Sequence, residues 1–246
     1  MKTPCRALIF TIAILCVTVP TWADEYIGGV YKYDARVAFL KAGVLDLQLN
    51  RDGTSYEVLG QFKTSRAMST YYTWNGLFAA RGTWETSGPV TEAYMARTSG
   101  KDERLKVVVN SESGVRLLDR PGGEFESVTK PGGIDLISAL FFHPGCYRGG
   151  IVHDGEDAYR LELLREKPAT LRGPSDKYFE GEVIHCDYAV RDHKDRKRRV
   201  VLSLAEVDGT TVAVQVRAKI PLLPDVVFRL RIPAEPPAPQ RVMAAR

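Results

Sequence analysis

The sequence predicts a mainly β protein: one large curved antiparallel sheet, a half-barrel or β-spiral, wrapped around a single apolar helix. Three observations predict it. Apolar and polar residues alternate along most of the chain, Asp-Gly pairs separate the alternating segments, and one segment alone carries a helical stripe. A two-residue period turns one face of a strand to a core and the other to water. A helix of the same sequence would scatter its apolar side chains around its axis.

The strands follow in order. Across 31–39, Tyr31, Tyr33, Ala35, Val37 and Phe39 share one face, opposite Lys32, Asp34 and Arg36. Leu45, Leu47 and Leu49 alternate with Asp46, Gln48 and Asn50, and Val212, Val214, Val216 and Ala218 alternate with Thr211, Ala213, Gln215 and Arg217. Further strands are predicted at 56–63, 77–85, 90–97, 105–110, 159–165, 178–190, 199–206 and 226–232, about eleven in all. The turns agree. Asp-Gly occurs within 51–54, 153–157 and 207–210. Gly accepts positive φ freely and Asp tolerates it, as tight hairpins require.

The helical segment holds Ile134, Ile137, Leu140 and Phe141, widened by Leu136, Ala139 and Phe142, with Asp135 and Ser138 as its polar members. It is entered after Gly132-Gly133 and stopped by Pro144-Gly145. A helix this apolar needs cover almost all round, and a curved sheet supplies it economically.

The ends are simpler. Lys2 and Arg6 precede an apolar run at 7–19, and Thr21 and Ala23 precede Asp24. This is the pattern of a cleaved signal peptide, 1–23, with an apolar run too short for the roughly 20 residues of a membrane span. Leu15 before Cys16 argues against lipidation of that cysteine. The rest divides into one β-rich periplasmic domain, 24–232, and a Pro/Ala-rich tail, 233–246, without a core pattern. The segment 118–133 reads as a loop feeding the helix. Lysine and arginine total 34 against 30 acidic residues, and two of the basic ones leave with the leader. A balance so near neutral, in an exported chain, predicts no nucleic-acid partner.

Two cysteines remain after the leader, Cys146 in "LFFHPGCYRGG" and Cys186 in "VIHCDY". In an oxidising compartment a lone pair usually bridges. The metal alternative would recruit His143 and His185, but neighbouring residues of a strand point to opposite faces, so His185 and Cys186 cannot easily meet at one ion. The disulfide is the reading adopted, and no metal or cofactor is expected.

"HDGED" at 153–157 could supply a general acid/base or carboxylates for a cation, but a polar hairpin tip accounts for it. The chain lacks HExxH, GxSxG, Walker A and CxxC patterns, so no catalytic residue is assigned. The basic run "RDHKDRKRR", with Arg196, Lys197, Arg198 and Arg199, is either a solvated hairpin connection or a patch for lipid head groups or an acidic partner. Tyr71, Tyr72, Trp74, Phe78 and Trp84 cluster before and within one strand. Trp74, Phe78 and Trp84, with Phe141 and Phe142, are candidates to line a cavity between sheet and helix; plain core packing is the alternative. The irregular segment "RAMSTYYTW" would suit a lid.

Taken in order, "YDARVAFLKAGVLDLQL", "YYTWNGLFAARGTWE", "DLISALFF", "VHDGEDAYRLEL", "CDYAV" and "GTTVAVQVRAKIPLLPDVVFRL" resemble an exported bacterial family known as a domain of unknown function. The resemblance implies a periplasmic curved β-sheet around a helix, similar to lipoprotein-carrier-like envelope proteins, and transfers no catalytic residues. The function expected is a non-catalytic periplasmic cell-envelope protein that binds a hydrophobic lipid or acyl ligand, or an envelope component. The alternatives are a scaffold docking a protein or peptidoglycan through its outer surface, and a His- or metal-dependent hydrolase.

Overall fold

Alternation became strand almost everywhere. The computed structural model describes residues 27–71, 73–100, 103–111, 114–118, 123–128, 133–155, 157–219 and 224–232. The expected signal peptide and tail lie outside them. Among these residues stand β1 (Ile27–Val37), β2 (Leu40–Asp52), β3 (Ser55–Thr64), β4 (Asn75–Glu85), β5 (Gly88–Ser99), β6 (Glu103–Ser111), β7 (Gly114–Leu118) and β8 (Glu126–Val128). After them come β9 (Ile134–Asp135), β10 (Gly149–His153), β11 (Ala158–Leu171), β12 (Gly181–Arg191), β13 (Lys197–Val207), β14 (Thr210–Lys219) and β15 (Val226–Leu230). Two short helices interrupt them, α1 (Arg66–Ser69) and α2 (Leu136–Phe141).

All fifteen strands join one sheet in the order β8-β7-β6-β5-β4-β3-β2-β1-β15-β14-β13-β12-β11-β10-β9. The chain starts at the middle, meanders out to β8, crosses to the opposite edge at β9 and meanders back until β15 pairs with β1. Every pairing is antiparallel except β9 with β10, which is parallel. The sheet is therefore mixed and is not closed into a barrel: β8 and β9 are free edges. It curls instead. Register shifts at Ala35/Arg36, Arg81/Gly82, Leu163/Arg165 and Ser203/Leu204 bend individual strands. At one of these only glycine fits, because a Cβ on Gly82 would lie 1.9 Å from the Val90 carbonyl oxygen.

Curling brings α2 against β5, β9, β10 and β14, so strands from both arms of the sheet surround it. The concave face supplies the core, with Tyr31, Tyr33, Leu47, Leu49, Val58 and Leu202 almost wholly buried. Phe141 packs edge-on against Tyr33 with ring centroids 5.1 Å apart, and Phe142 packs against Tyr31 at 5.7 Å. These contacts clamp the end of the helix to β1.

Several local expectations shifted. Strand β1 ends at Val37 because the chain turns at Ala38, which takes φ 52°, and Phe39 is left 80% exposed at the hairpin tip. Its place in the alternation did not bury it, since no strand remains there to carry it inward. Strand β12 begins at Gly181, and Tyr178 makes only an isolated bridge with Arg231. "RAMSTYYTW" contains the helical turn α1, capped by Ser65, whose Oγ accepts the Met68 N–H at 3.2 Å. Part of the expected loop 118–133 is strand β8.

Candidate functional site

Helix α2 buries polar residues beside apolar ones: its N-cap Asp135 and its Ser138 are fully buried, as are Ala139 and Phe141. Asp135 caps the helix by accepting the Ser138 N–H at 2.9 Å, and it accepts the Thr91 hydroxyl at 2.8 Å. Thr91 Oγ1 in turn accepts the Asp135 N–H at 2.9 Å. Because the one Thr91 proton is committed to Asp135, Tyr56 donates in the 3.1 Å contact between their hydroxyls. Burial, and then the nearby Asp135 charge, push the Tyr56 phenol far above its ordinary pKa. This network staples the start of α2 to β3 and β5 and satisfies polar groups that would otherwise cost about 1–3 kcal/mol each.

Three apolar residues of the helix face elsewhere. Leu136, Ile137 and Leu140 are only half-buried, and they form one wall of a cavity of about 390 Å³ between α2 and the concave sheet. Phe62, Trp74, Phe78 and Phe228 line it as well. Trp74 is held by its backbone: its N–H donates to Thr64 Oγ1 at 2.9 Å, and the same hydroxyl donates to the Trp74 carbonyl. Its indole then meets Phe62 at 5.1 Å and Phe78 at 6.1 Å. Gly76 makes room for this cluster, since a Cβ there would sit 2.6 Å from the Phe78 ring.

The sequence-derived ligand candidates separate here. Trp74, Phe78 and Phe141 line the cavity. Trp84 does not; it packs edge-on against Tyr56 at 5.8 Å, under the Arg51 guanidinium at 5.3 Å. Phe142 is wholly buried against Tyr31 and acts as an anchor of the helix. The sequence reading did not include Phe62, Leu136, Ile137, Leu140 or Phe228. Phe62 could have been found from its place on the strand just before the aromatic cluster. Phe228 could not, because β15 reaches the site only through its pairing with β1 and β14.

The basic run splits as well. Arg196 Nε binds Asp192 at 2.6 Å, and Arg199 forks onto Asp187, with Nε at 2.6 Å from one oxygen and a second, shorter contact to the other. The Arg199 pairing holds the Asp187 carboxyl below its usual range. Lys197 and Arg198 have no carboxylate within ion-pair reach among the described residues. Arg198 stands in register with Val190, and both border the cavity; Arg199 and Lys219, themselves register partners, border it beside them.

The histidines stand apart from one another. His143 Nδ1 contacts the Gly145 carbonyl at 2.8 Å, His153 packs edge-on against Tyr94 at 5.6 Å, and His185 Nδ1 pairs with the Ser203 hydroxyl at 3.0 Å. Burial lowers the pKa of His143 and His185. At the "HDGED" turn, Asp154 accepts the Asp157 N–H at 2.8 Å and the Tyr159 hydroxyl at 2.7 Å, which are the bonds of a turn. Among the described residues no three His, Cys, Asp or Glu side chains are grouped to share a metal ion. Cys146 and Cys186 form a disulfide with Cα atoms 5.5 Å apart, tying the chain after α2 to β12. No helix among the described residues is long and apolar enough to cross a membrane.

Fold and cavity together define an open, β-barrel-like protein with an apolar interior site. The chain is similar to the crystal structure of a β-barrel-like protein of the domain of unknown function DUF1849 from Brucella abortus, with a TM-score of 0.54 and 10% identity, over 88% of this chain and 100% of that one. At this identity the likeness is one of fold. A DUF1329 family protein from Desulfovibrio piger aligns over 89% of this chain and 88% of its own with 12% identity, at a TM-score of 0.28. The sequence matches no protein-family model and no curated protein.

Proposed function

We propose that this is a non-catalytic periplasmic cell-envelope protein that takes up a hydrophobic lipid or acyl group in the cavity under α2. One observation carries the reading: the helix spends its polar residues on an internal network and leaves Leu136, Ile137 and Leu140 facing an open, aromatic-lined cavity. Folding buries that face only in part, and a ligand would bury the remainder at roughly 25 cal/mol per Å². The volume of about 390 Å³ falls at the small end of the roughly 300–1,000 Å³ of small-molecule sites, which suits one chain better than several. The leader pattern and the disulfide support export to an oxidising compartment.

Native mass spectrometry of the protein isolated gently from its host's periplasm tests both parts. The expected result is a chain beginning at Asp24 that carries a hydrophobic adduct released on denaturation. A chain that retains its leader in the cytosol would overturn the location. Failure both to carry an adduct and to bind added acyl compounds would overturn the ligand.

A further inference from the structure

We infer that the occupant of this cavity is an anionic amphiphile whose carboxylate or phosphate head pairs with Arg198 while its tail lies along α2; the inference rests on the cavity reading above. On β13 the residues Arg198, Val200 and Leu202 alternate onto one face, and Leu202, at its inner end, is buried in the core. Arg198 is thus the outermost member of an inward-facing column, at the point where that column reaches water. Its register partner on β12, Val190, also borders the cavity.

The charges around it decide what it can bind. Arg199 is occupied by Asp187. Lys219, across the strand pair from Arg199, adds a second cation at the rim and acts on Asp187 only as a weaker influence behind Arg199. Two carboxylates just before β11 are engaged: Asp154 accepts the Tyr159 hydroxyl, and Asp157 pairs with His193 at 3.3 Å. Tyr159 itself lines the cavity. An arginine beside an apolar cleft, without a carboxylate partner among the described residues, presents a planar fork matched to a carboxylate or phosphate. A bound tail excludes water from the mouth and strengthens that pairing, whereas an alcohol of equal length gains only a neutral hydrogen bond.

The test compares decanoate, decyl phosphate and decanol by calorimetry and by quenching of Trp74 fluorescence at low salt. At least one anion is expected to bind about tenfold tighter than decanol, equivalent to about 1.4 kcal/mol. Which anion binds better distinguishes a carboxylate head from a phosphate one. Arg198→Ala should bring the anion to within about twofold of decanol and leave decanol unchanged, and Arg198→Lys should restore part of the difference. Equal binding of anion and alcohol to the native protein, or an anion preference that survives Arg198→Ala in a folded variant, overturns the head-group assignment while leaving the cavity reading intact. If none of the three binds, the cavity reading itself fails.

Discussion

Removal of the Cys146–Cys186 bridge by Ser at both positions should cost this protein a large part of its stability. The bridge spans 40 residues of sequence. Closing a loop of that size in the unfolded chain removes entropy worth about 4 kcal/mol at room temperature. A domain is typically stable by only 5–15 kcal/mol, so the loss would be felt at once. For a chain of this length it corresponds to a fall in Tm on the order of 10 °C. A second effect is local. The bridge ties the chain just after α2 to β12, and α2 forms one wall of the cavity, so the helix should be held less firmly in the variant. Urea unfolding of the oxidised, reduced and double-Ser proteins, followed by circular dichroism, measures the first effect. Decanol binding measures the second, and is expected to weaken. A midpoint in the double-Ser protein that corresponds to less than about 1 kcal/mol of loss would refute the reasoning, because it would mean that the unfolded chain is already restricted to the same extent.

Three more outcomes are expected. Burial pushes the Asp34 carboxyl up, but hydrogen bonds from Arg231, Lys41 and Tyr178 outweigh it and hold its pKa at about 2, below the ordinary 3.8. The depressed value makes its contribution, about 2 kcal/mol, fully present above pH 4 and lost as pH falls toward 2; Asp34→Asn should flatten that part of a Tm-against-pH profile. The Tyr33 hydroxyl is wholly buried with no hydrogen-bond partner among the described residues, so Tyr33→Phe keeps the ring on Phe141 and should leave the unfolding midpoint equal or raise it by up to about 1 kcal/mol. Ala218 borders the cavity, so Ala218→Phe should reduce decanol binding at least tenfold while the unliganded protein keeps its fold by circular dichroism; unchanged binding would show that ligands sit elsewhere.

Much of this fold is written in local rules. Period-two alternation along 45–49 is enough to place Leu45, Leu47 and Leu49 on one buried face, because a strand's side chains alternate whatever lies beside it. Asp-Gly at 52–53 and 208–209 is enough to turn a hairpin, since the required backbone is one those residues adopt. The pairing of Cys146 with Cys186 was legible because they are the two cysteines outside residues 1–23. Short strands such as β8 and β9 escaped, being too brief for a period to show.

What the chain does with those strands was decided at long range. Nothing near Val226 says that β15 will pair with β1, yet that pairing carries Phe228 to the cavity. The composition of 134–142 predicts an apolar helix in need of cover, but Asp135 and Ser138 are buried because Thr91 and Tyr56, distant in sequence, arrive to satisfy them. Leu136, Ile137 and Leu140 are left at the cavity. Trp74 and Trp84 look alike in sequence, and only the curl of the sheet puts one on the cavity and the other beneath Arg51. Arg198 likewise differs from Arg199 through Asp187, which the pairing of β12 with β13 brings to Arg199. Elements follow from neighbours along the chain; a void, and the charge at its mouth, exist only where distant strands meet.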